Sequence, residues 1–213
     1  MNKKIITVAA VGFIALGFFA YSSSGEKIVF DNNPAVQAMQ LKNQNQLSSI
    51  MSTIKETGIN PDEIKSWKAT GKINPEGRKE YSFSTDGKDF AYRIWLNPDL
   101  SIYSVLYSGT VLYQDGKAVE SISDNKPTEK EMQHMQAQVE KVVKNNLKTP
   151  STAKFGGFKF NKKHGIGTVS GIVDAQNGFG ATIQTPFDAS FDFKNQNGAM
   201  IWASINGEKL VKD

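Results

Sequence analysis

Hydrophobic residues between Trp67 and Ile122 recur at every second position, and turn-forming residues interrupt them at regular intervals. A period of two is the period of a β-strand, whose successive side chains point to opposite faces of a sheet. Turns rich in Gly, Asn, Asp and Pro connect neighbouring strands of an antiparallel sheet. The pattern therefore predicts a β-meander with strands at 66–73, 78–85, 89–97, 100–108, 110–114 and 117–122.

A helix is predicted on the N-terminal side of this meander. Asn33 is a typical N-cap residue, Pro34 suits the first helical position, and Gly58 is a typical helix end. Hydrophobic residues between them lie three or four positions apart, except at Asn43–Gln46, where polar residues interrupt the apolar face. We therefore expect a polar stalk or linker helix at 25–45, followed by a packing helix.

The second half of the chain repeats the same plan. Thr128 and Glu131 have the spacing of a capping box, which opens a helix, and Pro150 is expected to stop it. Four strand-like runs follow, at 153–160, 166–175, 180–193 and 199–205. The fold class predicted is α+β, with an N-terminal transmembrane or signal helix and two helix-plus-antiparallel-sheet modules at 46–122 and 128–213.

The first 24 residues indicate export. Lys3 and Lys4 precede an apolar run at residues 5–21, which as a helix spans roughly 25 Å, somewhat less than the ~30 Å hydrocarbon core of a bilayer. The segment 1–24 is therefore a signal-anchor or a signal peptide, and the lysines hold the N-terminus in the cytoplasm. We expect a single-pass protein of the cell membrane whose C-terminal part lies outside the cytoplasm, or alternatively a secreted protein.

Composition excludes several classes of function. The formal net charge is +4, and part of it belongs to the leader lysines, so nucleic acid is not an expected partner. The chain has no cysteine, which excludes disulfides, thiol nucleophiles and Cys-ligated zinc. His134 and His164 are its two histidines, and they are not spaced to bind one metal ion. We therefore expect no metal and no cofactor.

Carboxylates are the remaining candidates for catalysis. Two of them, roughly 5–9.5 Å apart in a cleft, would suit a hydrolase of glycosidic bonds. Each also lies near a turn or alternates with apolar residues, where a solvated surface position is the ordinary explanation. The candidates are Glu76, Glu80, Asp86, Asp174, Asp188 and Asp192.

Aromatic residues crowd the first meander and suggest a contact surface. Trp and Tyr outside a core are favoured anchors at protein interfaces. Trp95 alternates with Ile94 and Leu96, so it is expected on the face opposite theirs. The predicted partner-binding residues are Tyr92, Trp95, Tyr103 and Tyr107, although a sheet with both faces covered would also explain them.

Two segments of the second half, Leu147–Phe155 and Val169–Ala181, resemble a family of small bacterial and prophage-encoded extracytoplasmic proteins. Members share a Leu-Lys-x-Pro-Ser-x-Ala-Lys-Phe segment and a Gly-x-Val-x-Ala-x-Asn-x-Phe-Gly segment. The family has lipoprotein leaders or membrane anchors, and no reaction is assigned to it. The resemblance implies an anchored extracytoplasmic protein and implies no catalytic activity.

Polar residues crowd one predicted turn within these two segments. They are either structural elements of the turn or a ligand-binding loop, because binding residues are concentrated on loops. The candidate loop residues are Ser151, Thr152, Asp174, Gln176, Asn177 and Gly180.

Taken with the resemblance, the sequence favours a non-enzymatic extracytoplasmic protein, tethered to the cell membrane, that binds an envelope protein or a second copy of itself. The resemblance to prophage-encoded proteins implies superinfection exclusion or envelope modulation as a specific form of this function. The alternatives are a cell-wall or polysaccharide hydrolase that uses paired carboxylates, and a structural component of a secretion or conjugation machine.

Overall fold

The computed structural model describes Phe30 and residues 32–210. Two short helices and a six-stranded antiparallel sheet form the first half, and one longer helix and a five-stranded antiparallel sheet form the second. The sequence prediction of an α+β fold with antiparallel sheets is confirmed. The predicted leader at 1–24 lies outside the described residues, and none of the helices described is long and apolar enough to cross a membrane.

In the first half, helices α1 and α2 pack on one face of a sheet whose strands follow chain order. The helices are α1 (Pro34–Met39) and α2 (Gln44–Glu56). The strands are β1 (Ser66–Ile73), β2 (Lys79–Ser84), β3 (Tyr92–Leu96), β4 (Ile102–Tyr107), β5 (Thr110–Gln114) and β6 (Lys117–Ala118).

Asparagine side chains begin both helices. Asn33 Oδ1 accepts a hydrogen bond from the Ala35 N–H at 2.9 Å, and Asn43 Oδ1 accepts one from Gln46 N–H at 3.0 Å. Ala35 and Met39 are buried in the first core, together with Leu41 in the loop that follows. The expectation of a polar stalk helix at 25–45 is therefore wrong for residues 34–41, because these residues pack on the sheet.

A row of four aromatic rings crosses the core side of the first sheet. Trp67, Phe83, Tyr92 and Tyr107 lie on strands β1 to β4 in that order, with centroid distances of 4.7, 4.8 and 4.9 Å between successive rings. Aromatic pairs at such distances stabilise neighbouring strands beyond the area that they bury. The row thus ties four of the six strands together under the helices.

In the second half, helix α3 packs on one face of a sheet with the order β11-β10-β9-β8-β7. The helix is α3 (Glu129–Asn145). The strands are β7 (Lys154–Lys163), β8 (Ile166–Gln176), β9 (Thr182–Asp192), β10 (Ala199–Ile205) and β11 (Glu208–Lys209). The core contains Met135, Val139, Val143, Val169, Val173, Phe187, Ala189, Phe191 and Ala203.

An ion pair links the start of α3 to the edge of its sheet. The capping box is present, with the Thr128 N–H donating to Glu131 and the Glu131 N–H donating to Thr128 Oγ1. Glu131 also receives a hydrogen bond from Lys162, whose side chain is 5% exposed. Lys162 is part of β7, which continues to Lys163 and directs the Lys162 side chain toward the helix.

The segment that connects the two halves forms hydrogen bonds with both of them. Ile122 N–H donates to Thr57 O at the end of α2, and Gly165 N–H, in the β7–β8 turn, donates to Asp124 O at 2.7 Å. Asn125 is 2% exposed and donates to Glu120, while its own Oδ1 accepts from the His164 N–H. The connection is therefore a hydrogen-bonded part of the structure.

The long edge strands of both sheets are irregular. In β1 the register shifts between Ala69 and Ile73, around Gly71, which has a positive φ of 78°. In β7 the register shifts between Gly156 and Lys159, around Gly157 with φ 64°. Only glycine adopts such backbone angles at little cost, so both bulges depend on their glycines.

The Glu131–Lys162 pair predicts how stability changes in acid. Burial opposes the charged form of Glu131, but hydrogen bonds from Lys162 and the Thr128 N–H outweigh it and lower the pKa. The charge thus stabilises the fold above the pKa of the unfolded chain, about 4.3, and this contribution is lost as pH falls through the lower folded pKa. We expect Glu131→Gln to be less stable than wild type near neutral pH and to lose less stability on acidification.

Urea denaturation of both proteins between about pH 7 and about pH 3 measures this difference. The matched control is Glu140→Gln on the same helix, which is expected to follow the wild-type pH dependence. Parallel curves for wild type and Glu131→Gln would contradict the prediction.

Candidate functional site

The face of the first sheet opposite the helices carries the strongest candidate site, and we call it the outer face. Its residues alternate along the strands with the buried residues of the core. Glu80 pairs with Trp95 across β2 and β3, and Trp95 pairs with Ser104 across β3 and β4. Ser82 pairs with Arg93 one step further along. The outer face thus places a carboxylate, a guanidinium and an indole on neighbouring strands.

Glu80 is an unusual residue for an open sheet face. Its side chain is 4% exposed, whereas those of its two cationic neighbours, Lys72 and Arg93, are 59% and 52% exposed. Lys72 Nζ lies 3.3 Å from Glu80 Oε1, and Arg93 Nη1 lies 3.9 Å from Glu80 Oε2. The Oε1 atom accepts no hydrogen bond within the part of the chain that the structure describes. A buried carboxylate usually has such a bond, so the charge of Glu80 depends on its two cationic neighbours, Lys72 and Arg93, for compensation.

A cavity of about 350 Å³ opens beside this carboxylate. Apolar side chains form one part of its wall, and Glu80 and Arg93 form another. This combination of an apolar wall with few polar groups is typical of a recognition site. The lining residues are Glu80, Phe90, Ala91, Arg93, Leu106, Ser108 and Gly109.

Two of the four predicted aromatic residues lie away from the core. Trp95 is half-buried on the outer face, opposite Ile94 as expected. Tyr103 is half-buried under the Arg78 guanidinium, which lies 3.6 Å from the ring centroid. Such a cation–π contact fixes the ring but leaves one side of the pair accessible.

Tyr92 and Tyr107 belong to the core side of the sheet. Tyr92 is 4% exposed and stacks on Phe83, and Tyr107 packs against Tyr92. Burial raises the pKa of Tyr107. The prediction of an exposed contact surface is therefore wrong for Tyr92, because its position in the alternation places it with Ile94.

The structure brings the predicted loop residues together around the β8–β9 turn. Thr152 Oγ1 accepts from the Gln176 N–H at 2.9 Å, and the Thr149 hydroxyl donates to Gln176 O. Asn177 Oδ1 accepts from the N–H groups of Phe179 at 2.9 Å and Ala181 at 3.1 Å. The central polar groups of the loop are therefore used to hold its own backbone.

The outer members of the loop are less tightly held. Asp174 Oδ1 accepts from Gln184 Nε2 at 3.1 Å, and Ser151 is exposed. The Gly180 N–H donates to Asn177 O at 3.0 Å and completes the turn. This arrangement favours the structural explanation of the two motifs over the ligand-binding one.

Most of the candidate carboxylates have structural partners. Asp86 accepts hydrogen bonds from the Ser84 hydroxyl and from the N–H groups of Lys88 and Asp89, which lower its pKa. Asp192 caps the β9–β10 turn through the N–H groups of Lys194 and Asn195. Glu76 pairs with Arg78, and Asp188 is exposed. Glu80 is the one of the six that lines the 350 Å³ cavity.

A second cavity, of about 280 Å³, lies at the connection between the halves. Glu56, Glu120, Asp124 and Lys194 contribute to its wall. The side chain of Asn125 and, to a smaller extent, His164 hold the pKa of Glu120 below its usual value. Within the described ranges, no cluster of acidic residues and histidines is suited to hold a metal ion.

Comparison with protein-family models, with curated protein sequences and with solved structures finds no match to the chain. The resemblance to prophage-encoded extracytoplasmic proteins therefore stays a prediction. The site has to be interpreted from its own geometry.

The β8–β9 turn yields a test of the two explanations of the motifs. Asn177→Ala removes the acceptor of two backbone N–H groups, so we expect a loss of about 1–2 kcal/mol in the free energy of unfolding. Asp174→Ala removes an exposed contact with Gln184 and is expected to change stability by less than about 0.5 kcal/mol. Chemical denaturation measures both, and equal effects of the two substitutions would contradict the structural explanation.

Proposed function

We propose that this chain is a non-enzymatic extracytoplasmic protein, tethered to the cell membrane, that binds an envelope protein through the outer face of its first sheet. The observation that supports this most directly is the half-buried Trp95 beside the buried Glu80 carboxylate and the exposed Arg93. Tethering is inferred from the basic and apolar leader at residues 1–24.

The residue types on the outer face suit binding. Trp and Arg dominate the energetics of many interfaces, since they combine a large contact area with directional hydrogen bonds. Arg93 lines a partly apolar cavity that can receive a side chain of a partner, and Trp95 lies two residues further along the same face of β3. No second carboxylate from the candidate set lines that cavity, so the geometry favours recognition over acid–base hydrolysis.

The charges indicate the chemistry of the contact. Lys72 and Arg93 surround the single carboxylate of Glu80, which leaves an excess of positive charge at the rim. The expected partner segment therefore carries an acidic group for the exposed Arg93. Such a pairing is charge-specific, because a basic group of the partner would be repelled by Arg93.

Two hypotheses from the sequence remain beside this proposal. A second copy of the chain is an alternative occupant of the outer face, and a structural role in a secretion or conjugation machine would require such self-association. The carboxylate hydrolase remains an alternative that would have to use residues other than the Glu80 cavity.

The site is tested by photo-crosslinking in living cells that express the tagged full-length chain. Trp95 is replaced by a photoreactive phenylalanine analogue, and the matched control carries the same residue at Trp202, a half-buried tryptophan of the second sheet. We expect a discrete adduct with one envelope protein from position 95 and none from position 202. Equal patterns at both positions, or no adduct at position 95, would remove the proposed interface.

A charge reversal tests the same contact without a probe. We expect Arg93→Glu to weaken partner binding by about tenfold or more, because an acidic group would then face both Glu80 and the partner. The exposed Arg93 side chain makes this variant stable enough to purify, which thermal unfolding verifies. Unchanged co-purification of the partner would contradict the proposal.

The prophage-related version is superinfection exclusion or envelope modulation. We expect cells that express the chain to give fewer plaques on phage challenge than cells that carry Trp95→Ala. Equal plaque counts would contradict superinfection exclusion. The binding proposal would still be tested by the crosslinking experiment.

A further inference from the structure

The hairpin formed by β8 and β9 ends in an unusually exposed aromatic residue. Phe179 is 98% exposed at the tip, and Ile183 and Ile172 on the same hairpin are 48% and 38% exposed. Large exposed hydrophobic residues are few in the described chain, and this hairpin carries three of them. Ile183 pairs with Ala175 near the tip, whereas Ile172 lies further back on the opposite face of the hairpin. Scattered single apolar residues need no explanation, but an almost fully exposed aromatic residue with Ile183 close to it indicates a contact at the tip.

The end of the hairpin also contains no charge. Between Asp174 and Asp188 the chain has no acidic, basic or histidine residue. Charged residues are a common means of keeping exposed strands and apolar surface in water and of preventing association. A charge at the centre of a bilayer costs about 2.5–3.5 kcal/mol even on permissive scales, so its absence is a requirement for entry into lipid.

The backbone of the tip is largely satisfied by internal hydrogen bonds. The N–H groups of Asn177 and Gly180 donate to Ala181 O and Asn177 O, at 2.9 and 3.0 Å. The N–H groups of Phe179 and Ala181 donate to Asn177 Oδ1. Lipid offers no partner to backbone groups, so a segment that enters it must pair them internally.

We propose that the β8–β9 tip, residues 176–183, inserts Phe179 into the lipid of the membrane surface and holds the second half of the protein against the bilayer. A protein pocket could accept Phe179 as well, but it would not require the uncharged flanks and the paired backbone.

The base of the hairpin fits this placement. Two exposed lysines lie there. Lys154 pairs with Asp174 across β7 and β8. Lys148 precedes Thr149, whose hydroxyl donates to Gln176 O at the end of β8. Asp174 lies two residues, roughly 7 Å along the strand, before the end of β8, and the turn that carries Phe179 projects beyond that end. The lysines therefore lie at the depth of anionic headgroups when Phe179 reaches the acyl boundary.

One aromatic side chain gives only weak binding by itself. This inference therefore rests on the tethering part of the proposed function, because a membrane anchor keeps the hairpin at a high local concentration of lipid. The partner-binding face of the first sheet is a separate site, and the insertion does not depend on it.

Because the chain has no cysteine, one cysteine introduced at the tip can be labelled selectively. Ala181→Cys in the full-length chain carries an environment-sensitive fluorophore at the tip, and Gln196→Cys carries it in the β9–β10 turn at the other end of β9. Both positions are exposed. The labelled proteins are reconstituted in vesicles of phosphatidylcholine and phosphatidylglycerol, and flotation separately reports whether the chain is bound.

We expect a blue shift at position 181, and quenching by lipids with a quencher on the acyl chain, but neither effect at position 196. Adding Phe179→Ser should lower the inserted fraction about tenfold, which corresponds to ~1.4 kcal/mol. A chain that floats without a shift at position 181 overturns the insertion and leaves tethering intact. A chain that does not float contradicts both tethering and insertion.

Discussion

Helices cover one face of each sheet, and the energy of this contact comes from apolar side chains that alternate with polar ones along the strands. Ile94 and Phe83 are fully buried on the core side, while Arg93 and Trp95 lie on the other. Burial of such side chains stabilises the fold by roughly 1.5–3 kcal/mol each. The same alternation that builds the core therefore decides which residues remain on an accessible face.

Local signals in the sequence predicted the elements well. The capping box of α3 and the turn residues of the hairpins act over a few residues, so helix starts and strand limits could be inferred from them. The two-residue strand β11 was not predicted, because so short a strand has no period. The short helix α1 was predicted to be part of a stalk because the polar residues Asn43–Gln46 follow it and separate Ala35 and Met39 from the apolar face of α2.

The candidate site was less predictable because it depends on register. Trp95 could be placed on the outer face from its neighbours in sequence, but the approach of Glu80 to Arg93 and Lys72 follows from pairing between strands. Pairing of this kind is set by turn geometry and by the whole hydrophobic pattern. The burial of Tyr92 could have been predicted from the sequence, because Tyr92 is two residues from Ile94 and shares its face. The burial of Lys162 could not be predicted, because nothing in the sequence around it shows that Glu131 faces it.

The glycine bulges of β1 and β7 have a consequence for how this protein associates with others. An exposed strand edge with free N–H and C=O groups can pair with a strand of another chain and start open-ended polymerisation. Here each long edge is broken by a bulge, and lysines flank both breaks, Lys68 and Lys72 in one strand and Lys154 and Lys159 in the other. The remaining edges are the two-residue strands β6 and β11. Strand addition is thus disfavoured at every edge of the two described sheets, so copies of this chain at high concentration can stay free of amyloid-like stacking.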